Sequence, residues 1–240
     1  MDNQLDQTIG QGQGNAMGYG KGLCVFDLDG TLVNTLGDLA EALNFGLSSC
    51  GLPTLAEHQV SAIVGHSTKY MFQHAVPAGK EDQAEAVGQG YRAYYAKHCC
   101  DTSLPYDGII KCLTTLKAAG LKLAVASNKP HSDVVRIVNT LFPKDLFSLV
   151  LGQSQRFPLK PAPEPLQFVL DFFNAPKEAA VYIGDSEVDV DFANNTGLQC
   201  LSVCWGFRTR QELVDAGAQT ILDEPAELEE RLLERFGIRA

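Results

Sequence analysis

The chain has 240 residues, 45% of them hydrophobic and 20% charged, with a formal net charge of −10. That composition excludes an intrinsically disordered chain, and no apolar run approaches the roughly 18 residues of a membrane-spanning helix. The acidic balance argues against a nucleic-acid backbone as partner. Seven cysteines are an odd number, Cys99 and Cys100 are adjacent, and Cys200 and Cys204 are not spaced as C-x-x-C, so neither a disulfide framework nor a zinc site is indicated. With no basic segment leading into an apolar signal region, the free thiols point to the reducing cytoplasm.

In chain order, residues 1–20 are rich in Gly, Gln and Asn and read as a mobile tail. "LCVF" at 23–26 is the first candidate strand, followed at once by Asp27 and Asp29. Residues 35–104 then show only helical patterns, such as "DLAEALNFGLSSCG" and "AEAVGQGYRAYYAKHC", and are too long for a loop. They are expected to form an inserted all-α cap domain, with "LPYDG" at 104–108 as the return hinge.

Beyond it, strands at 121–127, 149–151, 179–183 and 199–204 alternate with helices near 108–119, 132–141, 163–173, 186–196 and 209–216. Apolar strands separated by amphipathic helices predict a doubly wound α/β core with a parallel sheet covered on both faces, made of residues 21–34 and 105–240. Thr209 with Glu212 three residues on has capping-box spacing for the last of these helices.

Ligands of such sheets sit beyond the carboxyl ends of the strands. There the sequence places Asp27, Asp29 and Thr31, then Ser127, Asn128 and Lys129, then Asp185, Ser186 and Asp189, with Lys160 in "LKPAPEP" before a helix. Four carboxylates cannot stay ionised together without a cation. Oxygen ligands with no His or Cys pattern favour a hard ion such as Mg2+. Asp27 and Asp29 alternate along an extended segment and so face one side. His66, His74, His98 and His131 have no metal-ligand spacing and read as surface or packing residues.

"DLDGT" at 27–31, "SN" at 127–128, Lys160 in "KPAP" and "GDSEVD" at 184–189 resemble, in order and spacing, the four motifs of the haloacid dehalogenase superfamily of phosphohydrolases, and the helical insertion is similar to its C1 cap. "PYDG" at 105–108 and the stretch from Trp205 to Leu228, which includes Arg208, look like its phosphoglycolate phosphatase branch. The resemblance implies that Asp27 is the nucleophile and Asp29 the general acid and base. It implies Mg2+ on Asp27, Asp185 and the backbone carbonyl of Asp29, phosphate contacts from Thr31, Ser127, Asn128 and Lys160, and a supporting role for Asp189. It also implies a cap loop, "VGHSTK" at 64–69, whose Gly65, His66 and Lys69 meet the leaving group.

The expected substrate is a small phosphorylated metabolite, 2-phosphoglycolate first. A sugar-phosphate mutase of the β-phosphoglucomutase type shares all four motifs and is the rival within the superfamily. A phospho-accepting receiver module is the rival outside it. Dehalogenase chemistry has no use for Asp29 and Thr31, and a phosphonatase would need a cap lysine, for which only Lys69 offers itself.

Overall fold

The computed structural model describes residues 18–238, so most of the tail expected at 1–20 lies outside the described residues. The central strand β1 (Leu23–Phe26) is completely buried. It pairs in parallel with β4 (Lys122–Pro130) on one side and β6 (Ala180–Gly184) on the other. With β5 (Leu149–Gln153), β7 (Cys200–Val203) and β8 (Ile221–Leu222) the sheet runs in the order β5-β4-β1-β6-β7-β8, every pairing parallel.

Alternate residues of β1 feed two separate cores, as strand geometry requires. Cys24 and Phe26 pack with α5 (Ile109–Ala118), α6 (His131–Leu141) and α10 (Pro225–Arg235). Leu23 and Val25 pack with α7 (Glu164–Phe173) and α8 (Glu187–Thr196). Burial on both faces explains why the strands carry no polar alternation. The predicted α/β fold and its five strands are present.

The helical insertion holds α1 (Leu36–Ser49), α2 (Glu57–Ser61), α3 (Thr68–Ala75) and α4 (Ala84–His98). Here α1 and α4 cross tightly: a Cβ on Gly46 would sit 2.4 Å from the Val87 carbonyl oxygen, so only glycine permits this approach. Two short strands that the sequence reading did not separate, β2 (Val33–Asn34) and β3 (Leu104–Pro105), pair antiparallel where the chain leaves and re-enters the core. Asp38, in the first turn of α1, braces this neck. Its carboxylate accepts from the backbone N–H and hydroxyl of Thr102 (2.9 and 2.6 Å) and of Ser103 (2.9 and 2.6 Å).

Three further differences concern boundaries. The second strand was expected to end at 127 but continues to Pro130, which pairs with Gln153 after a register shift, so Ser127, Asn128 and Lys129 lie inside an irregular strand end. The strand β8 and the helix α10 were not predicted. The final predicted helix is α9 (Arg210–Asp215), and its capping box is formed: Thr209 N–H donates to Glu212 Oε2 at 2.7 Å and Glu212 N–H to Thr209 Oγ1 at 3.3 Å.

Candidate active site

The carboxyl ends of β1, β4 and β6 bring together residues from distant parts of the chain. Asp27 follows β1, and its backbone N–H donates to the Ile183 carbonyl in β6 at 2.9 Å, which ties it to the sheet. Asp185 follows β6, and Asp189 lies in the first turn of α8. One carboxylate oxygen from each of these three buried residues lies within 4.8 Å of the others.

Lys160 Nζ stands 3.1 Å from Asp27 Oδ2 and 2.7 Å from Asp189 Oδ1. It also donates to the Tyr182 hydroxyl at 3.0 Å. Burial works against the ammonium, but Asp189 and Asp27 outweigh it and raise its pKa. One cation does not neutralise three buried carboxylates. Burial first, then Asp189 and Asp27, holds the Asp185 pKa well above the carboxylate range. Burial pushes Asp27 up to about 6, with Lys160 and Ser127 pulling the other way.

The oxygens differ in what they have left to offer. Asp189 is saturated: Oδ2 accepts from the Ser186 hydroxyl at 2.6 Å and from the backbone N–H groups of Ser186 and Asp185, while Oδ1 faces Lys160 and Tyr182. Asp185 accepts from the Thr31 hydroxyl at 2.8 Å and from Phe207 N–H at 2.9 Å. Asp27 Oδ1 is buried without a hydrogen-bond partner. A buried, unpartnered carboxylate oxygen beside a second carboxylate fits a hard cation, because such a group is costly to leave uncompensated. Asp27 and Asp185 are therefore the side chains suited to hold one, with Asp189 supporting them from behind.

Asp29 points elsewhere. Its Oδ1 accepts from the Thr35 hydroxyl at 2.7 Å, and Lys129 Nζ reaches both oxygens at 3.0 and 3.1 Å. Burial works against the Lys129 ammonium as well, and Asp29 overrides it and raises its pKa. The Asp29 carboxylate is thus outside the group formed by Asp27, Asp185 and Asp189. Asn128 uses its side chain on the main chain of Lys160, accepting from its N–H at 2.7 Å and donating to its carbonyl at 3.1 Å, so it holds the lysine in place.

Between the core and the insertion lies a cavity of ≈ 40 Å³. Asp27, Asp29, Ser127 and Lys129 line the core side. Gly65, His66 and Thr68 are among the residues facing them. Lys69 is exposed and is not part of that lining.

The sequence offered Trp205 and Arg208 only as part of a stretch resembling one branch of the family, with no role for the loop after β7. Trp205 Nε1 donates to the Thr31 carbonyl at 3.1 Å, and Phe207 N–H reaches Asp185. A Cβ on Gly206 would lie 2.3 Å from the Gly30 carbonyl oxygen and 2.5 Å from Asp185, so glycine lets this loop close on the cluster. The available signal was position: the loop leaves the carboxyl end of a parallel strand beside β6.

A Rossmann-like sheet with carboxylates from two strand ends, a helix-borne third and one buried lysine defines a class of hydrolase. Residues 24–203 match the family model for haloacid dehalogenase-like hydrolases, and the chain belongs to that family. It is 30% identical over 211 residues to a phosphoglycolate phosphatase of Mannheimia succiniciproducens, an alignment covering 85% of this chain and 94% of that one. It is 29% identical to one of Haemophilus influenzae with the same coverage. Among solved structures it is similar to a predicted phosphoglycolate phosphatase from Haemophilus somnus, with a TM-score of 0.80, 28% identity and coverage of 88% of this chain and 97% of that one. A haloacid dehalogenase-like hydrolase from Streptococcus pneumoniae also gives 0.80, at 25% identity, covering 88% and 98%. Among the described residues no helix is long and apolar enough to cross a membrane.

Proposed function

We propose that the chain is a Mg2+-dependent phosphatase that hydrolyses a small phosphate monoester, preferentially 2-phosphoglycolate, through a phosphorylated Asp27. The single observation behind the assignment of Asp27 is its place: a buried carboxylate at the end of β1 that lines the cavity beside Asp29. Asp27 attacks phosphorus, a P–O bond to Asp27 forms, the ester P–O bond breaks, and a protonated Asp29 gives its proton to the departing alkoxide, leaving the carboxylate that Lys129 and Thr35 hold. Water then attacks the aspartyl phosphate, losing its proton to Asp29 and releasing inorganic phosphate. Lys160 and Ser127 donate to the phosphoryl oxygens. When bound at Asp27, Asp185 and the Asp29 carbonyl, Mg2+ supplies charge neutralisation for the carboxylates and the phosphoryl group.

The helical insertion serves as the cap that excludes water and bounds the leaving group. The cavity of ≈ 40 Å³ has to take the phosphoryl group as well as the leaving group, so it favours a small ester. The relatives named phosphoglycolate phosphatase support the same choice. The seven cysteines are all free, in keeping with a cytoplasmic site of action.

The test is continuous phosphate release over 2-phosphoglycolate, sugar phosphates and nucleoside monophosphates, with Mg2+ or with chelator. We expect Mg2+-dependent turnover and a hundredfold or greater preference for 2-phosphoglycolate. Transfer of the phosphoryl group between sugar positions instead of release, or turnover undiminished by chelator, overturns the proposal.

A further inference from the structure

Arg208 is 93% buried in the loop after β7, yet half of its hydrogen bonds cross to the helical insertion. On the core side its Nε and Nη2 fork onto Glu187 at 2.9 and 3.2 Å. On the other side Nη1 donates to the Ser61 carbonyl at 2.8 Å and Nη2 to the Val64 carbonyl at 3.0 Å. Ser61 ends α2, where helix carbonyls lack intrahelical partners, so a guanidinium satisfies acceptors that otherwise need water.

The stretch it grips is the one that faces the reacting groups: Ile63, Val64, Gly65 and His66 line the cavity opposite Asp27 and Asp29. One residue before Arg208, Phe207 N–H binds Asp185. The grip thus begins one peptide away from the acidic cluster. Because the acceptors are backbone carbonyls, it acts on the position of the segment and not on any one side chain there. The Arg208–Glu187 fork lies wholly within the core and can persist whether the insertion is down or lifted, which is what a latch requires. Two weaker contacts support it: Asn128 Nδ2 donates to the Gly65 carbonyl at 3.3 Å, and His66 Nε2 stands 3.9 Å from Glu187 Oε1.

We infer that Arg208 is a positioning residue that latches segment 61–65 over the cavity, and that selection of small leaving groups depends on this latch although Arg208 touches neither substrate nor reacting atoms. The inference rests on the phosphatase reading of the Asp27 cluster. Arg208→Met and Arg208→Lys are compared with the unaltered chain by hydrogen exchange of residues 61–71 and by kcat/KM for 2-phosphoglycolate and for 4-nitrophenyl phosphate, whose bulky leaving group needs a lifted cap.

The expected result for R208M is at least tenfold faster exchange in 61–71 with unchanged exchange in β1 and β4. It is accompanied by a ten- to hundredfold loss on 2-phosphoglycolate and no more than a threefold loss on the aryl ester, R208K lying between. Unchanged exchange, or equal losses on both esters, overturns the latch. If R208M does not fold, R208K carries the same comparison. If the unaltered chain hydrolyses neither ester, the functional reading fails, and the exchange arm still decides whether Arg208 holds the segment.

Discussion

At the scale of single residues, the site is a problem of surplus negative charge solved unequally at each carboxylate. Asp27→Asn keeps the size of the side chain and removes its nucleophilicity. We expect kcat to fall at least ~10⁴-fold, in line with the loss of other covalent nucleophiles, with the circular-dichroism spectrum unchanged. Near-normal turnover in this variant removes the nucleophile assignment. Lys129 was placed at the sheet edge by the sequence but given no role there; its pairing with Asp29 is set by the parallel register of β1 and β4. Lys129→Met leaves the Asp29 carboxylate with the Thr35 hydroxyl as its remaining donor. We expect a roughly 10²-fold loss in kcat, the scale of general acid–base catalysis, with a smaller change in KM. A change in KM alone would mean that Lys129 binds substrate and does not position Asp29. Asp27, Asp185 and Lys160 were legible because each falls where a parallel strand or loop meets the sheet's carboxyl edge. Tyr182, Phe207 and the bracket made by Asn128 were not, since their contacts are set by strand register and by the closure of distant loops.

At the scale of elements, legibility followed length. β1 and β6 are apolar throughout and the helices between them amphipathic, so the alternation could be read directly. β2, β3 and β8 have two residues each, too few to show any period: β2 and β3 form only by pairing with each other across the neck, and β8 by pairing with the longer β7. The neck that they and Asp38 form is where the insertion turns on the core. Burial alone would raise the Asp38 pKa, but hydrogen bonds from Ser103 and Thr102 exceed that effect and lower it. A depressed folded-state value means that Asp38 contributes stability fully above the unfolded carboxylate pKa and loses it as pH falls through the folded one. Asp38→Asn replaces one acceptor oxygen with a donor facing donors, so we expect a loss of about 2–3 kcal/mol at pH 7. The difference from the unaltered chain should shrink toward pH 3, as followed by urea unfolding. A difference independent of pH would mean that packing and not charge is what Asp38 provides.

At the scale of the whole molecule, a chain of net charge −10 folds around three buried carboxylates that one lysine cannot balance. Burial and mutual repulsion raise Asp27 to about 6 and Asp185 well above its ordinary value. Between the unfolded carboxylate pKa near 4 and those raised values, the folded metal-free protein binds more protons than the unfolded chain, so these two groups make stability fall as pH rises. A divalent cation that binds only the folded state competes with those protons and reverses the trend. At a hundred times its dissociation constant such an ion adds about 2.7 kcal/mol. For a chain of this size that is an increase in Tm of about 5–10 °C. The Mg2+-induced shift should therefore be small at pH 5 and approach that value at pH 7.5, measured by differential scanning calorimetry with and without the ion. Asp185→Asn removes one ligand and one repelling charge together. It should abolish the shift and flatten the pH dependence of the metal-free protein. A shift equal at both pH values, or one that survives the substitution, would place the cation somewhere other than between Asp27 and Asp185.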